Sequence, residues 1–145
     1  VIPAEVVLSG TVRTFEPAVQ DSVEAGLKRV ATATAEAFGA EAEVDYRRNY
    51  PATVNTAAET DFAARVAAQV VGEAQVIHDP APSMGAEDFA FMLEHRPGCY
   101  VWVGNGPTDG NRLLHNPRYD FNDDILPIGV AYWGELVERA LPARG

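Results

Sequence analysis

Cysteine is almost absent: Cys99 is the only one among 145 residues. An internal disulfide is therefore excluded, and a reducing, cytoplasmic compartment is expected. Basic residues are scarce too, 11 against 21 acidic ones, for a net charge of -10. A surface of that sign repels phosphate backbones, so no nucleic-acid partner is expected. No apolar run approaches the ~18 residues that span a bilayer, and no membrane partner is expected either. No basic segment followed by an apolar core opens the chain, so no signal peptide is expected. HxxxH, HExxH and CxxC spacings are missing, as are a Gly-rich phosphate loop and a GxSxG elbow. This chain by itself is therefore not expected to assemble a metal site of three or more ligands.

What is present is the composition of a folded domain, 47% hydrophobic and 22% charged. The chain opens at Val1 and runs directly into Val6-Val7-Leu8, from which a piece of a longer protein is expected. Residues 5–13 alternate, Val6, Leu8 and Val12 against Val7, Ser9, Thr11 and Arg13, which predicts a strand. Pro17 suits a first helical turn, and Val23, Leu27, Val30, Thr34 and Phe38 recur at steps of three and four. Gly39 is a natural stop, so a long amphipathic helix is predicted. Residues 42–48 alternate again. Strand, helix, strand makes an αβ layer with one wet sheet face.

After Tyr50-Pro51 the character changes. Thr56 and Glu59 have capping-box spacing, and Phe62, Val66 and Val70 continue a helix to Gly72. A short strand is predicted at 75–77, a turn at 83–85, a short helix at 86–94 and a buried strand at 99–103. Cys99, Tyr100, Trp102 and Trp133 are assigned to a core or an interface. Asp123 is the expected cap of a last helix whose Leu126, Val130, Trp133 and Val137 share a stripe. Two strands leave edges and faces that need neighbours, so the break near residue 52 divides two incomplete pieces.

Chemistry concentrates in a few places. His115 lies in the aperiodic 104–122 loop, between Leu113-Leu114 and Asn116-Pro117. A proline-stiffened imidazole suits a metal, and a histidine bonded to loop backbone is the alternative. In Ser83-Met84-Gly85-Ala86-Glu87-Asp88-Phe89, the two acids can complement a helix dipole. Alternatively, backbone N–H groups at the Gly85-led helix start can face a ligand oxyanion. Arg13, on the polar side of its strand, is either a solvated charge or a bidentate carboxylate partner. His78 and His95, each beside charge at an element end, are read as structural.

GTVRTF at 10–15, YPATVN at 50–55, SMGAEDFAFM at 83–92 and LHNPRYDFND at 114–123 together resemble the C-terminal portion of a metallopeptidase family. It is the hippurate hydrolase, aminoacylase and auxin-conjugate amidohydrolase family, and the resemblance runs over nearly the whole chain. It implies α/β and α+β fold class: part of an αβα catalytic domain plus part of an α+β lid. Residues 1–52 would be the end of the lid, through which a homodimer forms, and 53–145 the last segment of the catalytic domain. By the same resemblance His115 is a metal ligand, and Gly85, Glu87 and Arg13 bind substrate. No catalytic residue falls within this stretch.

The implied cofactor is a divalent metal, two ions per full-length subunit, with zinc, manganese, nickel and cobalt all open. The implied substrate is an N-acyl amino acid, hydrolysed by the full-length parent and not by this chain alone. A stand-alone small-molecule-binding or dimerisation module is the alternative.

Overall fold

The computed structural model describes residues 1–106 and 114–141. Its α-helices are α1 (Pro17–Ala37), α2 (Ala57–Val71), α3 (Phe89–Leu93) and α4 (Leu126–Ala140). Single 3-10 turns occupy Glu73–Gln75 and Asp123–Ile125. The chain separates into two compact units, Val1–Thr53 with Pro82–Phe91, and Val54–Ala81 with Met92–Gly145.

In the first unit, α1 starts and stops where local chemistry dictates. Pro17 sits in its first turn, where a missing N–H costs nothing, and the Glu16 carbonyl accepts from the Val19 and Gln20 amides, both at 3.1 Å. At the other end Gly39 adopts φ 71°, and its amide bonds the Glu36 carbonyl while that of Ala40 bonds Ala35. These are the paired bonds of a Schellman stop, which needs a left-handed residue at that position. Arg48 joins Asp21 at 2.7 Å and Glu24 at 2.6 Å on α1. Lys28 and Arg48 hold the Glu24 carboxyl below its ordinary range by hydrogen bonding. No residue of α1 is buried, and its stripe of Val19, Val23, Leu27 and Val30 lies open.

In the second unit, α2 and α4 pack together and carry Ala63, Val66 and Tyr132, the residues buried there. Arg139 of α4 bonds both Glu135 and, across to α2, Gln69. Gly72, at φ 85°, ends α2 with its amide on the Ala68 carbonyl.

Three expectations need correction. No segment among the described residues is a paired strand, including 5–13, 42–48, 75–77 and 99–103. Alternation is a local property, whereas a strand exists only when another backbone takes up its N–H and C=O groups. Leu8, at 92% exposed, has no such neighbour to shield it, and Gln75 closes a 3-10 turn instead. The expected α/β and α+β layers are thus represented here by their helices.

Second, α4 turns a different face inward. Tyr132 is 7% exposed, while Trp133 is 62% and Val130 73% exposed. Besides Glu135, the more covered positions are Ile125, Gly129, Tyr132 and Leu136, one residue ahead of the predicted Leu126-Val130-Trp133-Val137 stripe. Trp102 is exposed as well, so neither tryptophan belongs to a core within this chain. Third, the 86–94 helix shortens to Phe89–Leu93, and Asn122, not Asp123, caps the turn before α4 by accepting from the Asp124 amide.

The chain exposes 12026 Å². Even as two separate compact bodies, a chain of this mass would expose roughly 9,000 Å². Among the described residues the helices leave broad apolar faces exposed.

Candidate functional site

The first unit brings Arg13 to the segment that carries Gly85 and Glu87. Arg13 Nη1 donates to the Met84 carbonyl at 2.5 Å, across 71 positions of sequence. The Gly85 amide donates to Ser83 Oγ at 3.2 Å, closing a small side-chain turn. Glu87 and Asp88 then offer their carbonyls to the Ala90 and Phe91 amides, both at 3.1 Å, and these bonds lead into α3. Ala90 is buried, at 1% exposed.

Because α3 begins only at Phe89, the Gly85 amide does not belong to an open helix start, and it already has an acceptor. The helix-terminus reading of Gly85 is therefore set aside. A Cβ on Gly85 would lie 3.5 Å from Ser83 Oγ, an ordinary contact, so its own geometry does not demand glycine.

Tyr50 is a member of this cluster that sequence reasoning passed over. Its ring lies 5.5 Å from that of Phe91, tilted by 49°. Its hydroxyl bonds Asp88, and that bond, with the charges of Asp88 and Glu87, pushes the phenol above its ordinary range. The signal available was its place in YPATVN, where a tyrosine before proline reads first as a turn residue.

His115 belongs to the second unit and is exposed. Its backbone adopts φ 63°, and no other non-glycine residue described has a positive φ. Histidine is among the residue types enriched in that left-handed region, and such residues cluster at functional sites. A tied turn follows it directly in sequence. The Asn116 carbonyl accepts from the Tyr119 amide at 2.9 Å, and the Asn116 side chain accepts from Arg118 at 2.9 Å. Pro117 supplies the second position of that turn.

The returning chain is tied down by Asn105, whose side chain accepts from the Asn122 amide at 2.8 Å and donates to the Asp120 carbonyl at 3.4 Å. His115 thus stands, exposed, directly before a tied-down turn. Leu113, part of the expected flank, lies outside the described residues. Among the described residues no three His, Cys, Asp or Glu side chains form a group able to hold a metal. His115 can fill one coordination position.

Of the other histidines, His78 Nε2 pairs with Glu73 at 2.7 Å on the surface, and the His95 amide donates to Met92. Cys99 is half-buried and free of any disulfide. No helix among the described residues is long and apolar enough to cross a membrane.

Residues 4–139 match the profile of the peptidase family M20/M25/M40. The chain belongs to this family. The family's fold is α/β, and its enzymes are generally dependent on divalent metals. Relatives include an N-acetyl-L-cysteine deacetylase of Bacillus subtilis, 37% identical over 97% of this chain and 32% of its own length. An IAA-amino acid hydrolase of Arabidopsis thaliana is 31% identical over 97% of this chain and 32% of itself. A hippurate hydrolase of Campylobacter jejuni is 27% identical over 97% of this chain and 36% of itself. The M20/M25/M40 chain thus spans about a third of the length of the curated relatives it matches. No solved structure matches it.

Proposed function

We infer that this chain is the C-terminal third of a metal-dependent amidohydrolase that cleaves the amide bond of N-acyl amino acids. The observation that carries the reading is the family match over residues 4–139, in a chain covering about a third of relatives named for N-acetyl-L-cysteine, IAA-amino acids and hippurate. Those three compounds share one chemistry, an acyl group on the nitrogen of an amino acid. In this reading residues 1–52 end the lid and residues 53–145 end the catalytic domain. The lid is the dimerisation surface. The unshielded stripe of α4, Leu126, Val130, Trp133 and Val137, packs against the remaining two-thirds of the polypeptide.

His115 contributes one metal ligand, and the other donors come from outside this chain. When bound, two divalent ions supply Lewis acidity to the scissile carbonyl and make a water nucleophile available near neutral pH. This chain's residues serve binding. Arg13 faces the substrate carboxylate; a guanidinium has five N–H donors, and the Met84 carbonyl takes one. Gly85 and Glu87 line the pocket on the segment that Arg13 holds.

The test is hydrolysis of N-acetyl-L-cysteine, hippurate and an indole-3-acetyl amino acid with divalent metal added. The longest natural polypeptide carrying this chain is expected to turn over at least one of them, and the 145-residue chain none. Turnover by the short chain would overturn the reading, as would an inert long polypeptide.

A further inference from the structure

We propose that Arg13 and Tyr50 are positioning residues that grip residues 84–91 from two ends and so fix where Glu87 stands. The Arg13–Met84 bond and the Tyr50–Phe91 ring contact carry the grip; its effect on substrate deepens the amidohydrolase reading and rests on it. Between Ser83 and Asp88 the Gly85 amide donates to Ser83 Oγ, a short link. A bond spanning two residues does little to fix a loop against the entropy of its backbone. Further restraint comes from residues far away in sequence. Arg13 holds the leading end through the Met84 carbonyl at 2.5 Å. Tyr50 holds the trailing end, its ring 5.5 Å from Phe91 and its hydroxyl on Asp88. Ala90, buried between these contacts in sequence, anchors the start of α3.

Each grip can be released separately. Arg13→Met keeps much of the aliphatic stem and removes the donor to Met84. Tyr50→Phe keeps the ring on Phe91 and removes the bond to Asp88, whereas Tyr50→Ala removes both.

Amide hydrogen exchange in the longest natural polypeptide carrying this chain reads the result without any need for activity. The amides of Gly85, Ala90 and Phe91 are hydrogen-bonded, so their protection is measurable. Arg13→Met is expected to speed exchange at Gly85 by roughly fivefold or more, and Tyr50→Ala to do so at Ala90 and Phe91, with α2 unchanged. Should Tyr50→Ala loosen α2 as well, Tyr50→Phe decides, with faster exchange at residues 88–91 expected. Unchanged exchange over 83–91 in Arg13→Met and Tyr50→Phe would overturn the proposal, whether or not the polypeptide hydrolyses amides.

In the active polypeptide Tyr50→Phe, which leaves Arg13 free to meet the substrate carboxylate, is expected to raise KM severalfold and to lower kcat much less. A change confined to kcat would contradict positioning of the substrate loop. Faster exchange in a polypeptide without hydrolase activity would uphold the grip and remove the amidohydrolase reading.

Discussion

The side chain of Asn55 exchanges both of its hydrogen bonds with the backbone of Tyr100. Its amide donates to the Tyr100 carbonyl at 2.9 Å, and its oxygen accepts from the Tyr100 amide at 2.8 Å. Thr56 repeats the arrangement one residue on, its amide bonding the Gly98 carbonyl at 3.0 Å and its hydroxyl accepting from the Gly98 amide at 2.9 Å. Residues 98–100 therefore have part of their backbone satisfied by this pair instead of by a neighbouring strand. Asn55→Ala is expected to destabilise the second unit by about 2 kcal/mol, from two hydrogen bonds worth about 1 kcal/mol each. Urea unfolding followed at Tyr132 and the tryptophans measures it, and a cost under about 0.5 kcal/mol would contradict the clasp.

Tyr50 carries the pH prediction. Its pKa is raised above 10.0 by the bond to Asp88 and the nearby acidic charges. A raised folded-state pKa means that the bond stabilises fully below pH 10 and is lost as pH climbs through the folded value. Asp88→Asn is expected to bring the phenol down towards 10.0, short of it because Glu87 still contributes. Carbon-13 shifts of labelled tyrosine follow the titration. A Tyr50 that ionises at 10 or below and ignores Asp88→Asn would contradict the contact.

At Gly39 the expectation is purely conformational. Nothing lies within 4 Å of a Cβ placed there, yet φ is 71°. Gly39→Ala is expected to cost about 1 kcal/mol by forcing a left-handed alanine at the end of α1, and Gly39→Asn less. Thermal melting of the helical circular dichroism signal separates the two variants. Equal stabilities would contradict the Schellman stop.

The exposed stripe of α4 yields opposite expectations in two contexts. Val130 is 73% exposed in this chain. Val130→Lys is expected to leave the 145-residue chain within about 0.5 kcal/mol of the parent. In the longest natural polypeptide, where the stripe packs, the same change should cost about 3 kcal/mol or more, as a buried unpaired charge does. Chemical denaturation of both forms gives the comparison, and a small effect in each would leave the stripe without an occupant.

Legibility in the sequence followed the range of the interactions. The limits of α1 could be read because Pro17 and Gly39 act within a turn of themselves. Thr56 and Gly72 bounded α2 for the same reason, although Thr56 spends its hydroxyl on Gly98 and on the Glu59 carboxylate, not on a capping box. The inward face of α4 was not legible. Leu126, Ile128, Val130, Tyr132, Trp133, Leu136 and Val137 make it apolar nearly all round, so periodicity announces a helix without choosing its buried side. The strands failed because pairing is non-local. In the candidate site, the turn that Pro117 makes after His115 was legible, because proline acts within its own turn. The contact of Arg13 with Met84 was not, since nothing local in either segment refers to the other.

Metal content and hydrolysis, measured together in the longest natural polypeptide with His115→Ala, show whether His115 holds a metal that hydrolysis needs. Loss of a group that merely orients a metal ligand typically costs 10–100-fold, so loss of a ligand should cost about a hundredfold or more. At least one metal ion fewer per chain and that fall in turnover of N-acyl amino acids are expected, with folding intact by circular dichroism. Unchanged metal content together with unchanged turnover would contradict it.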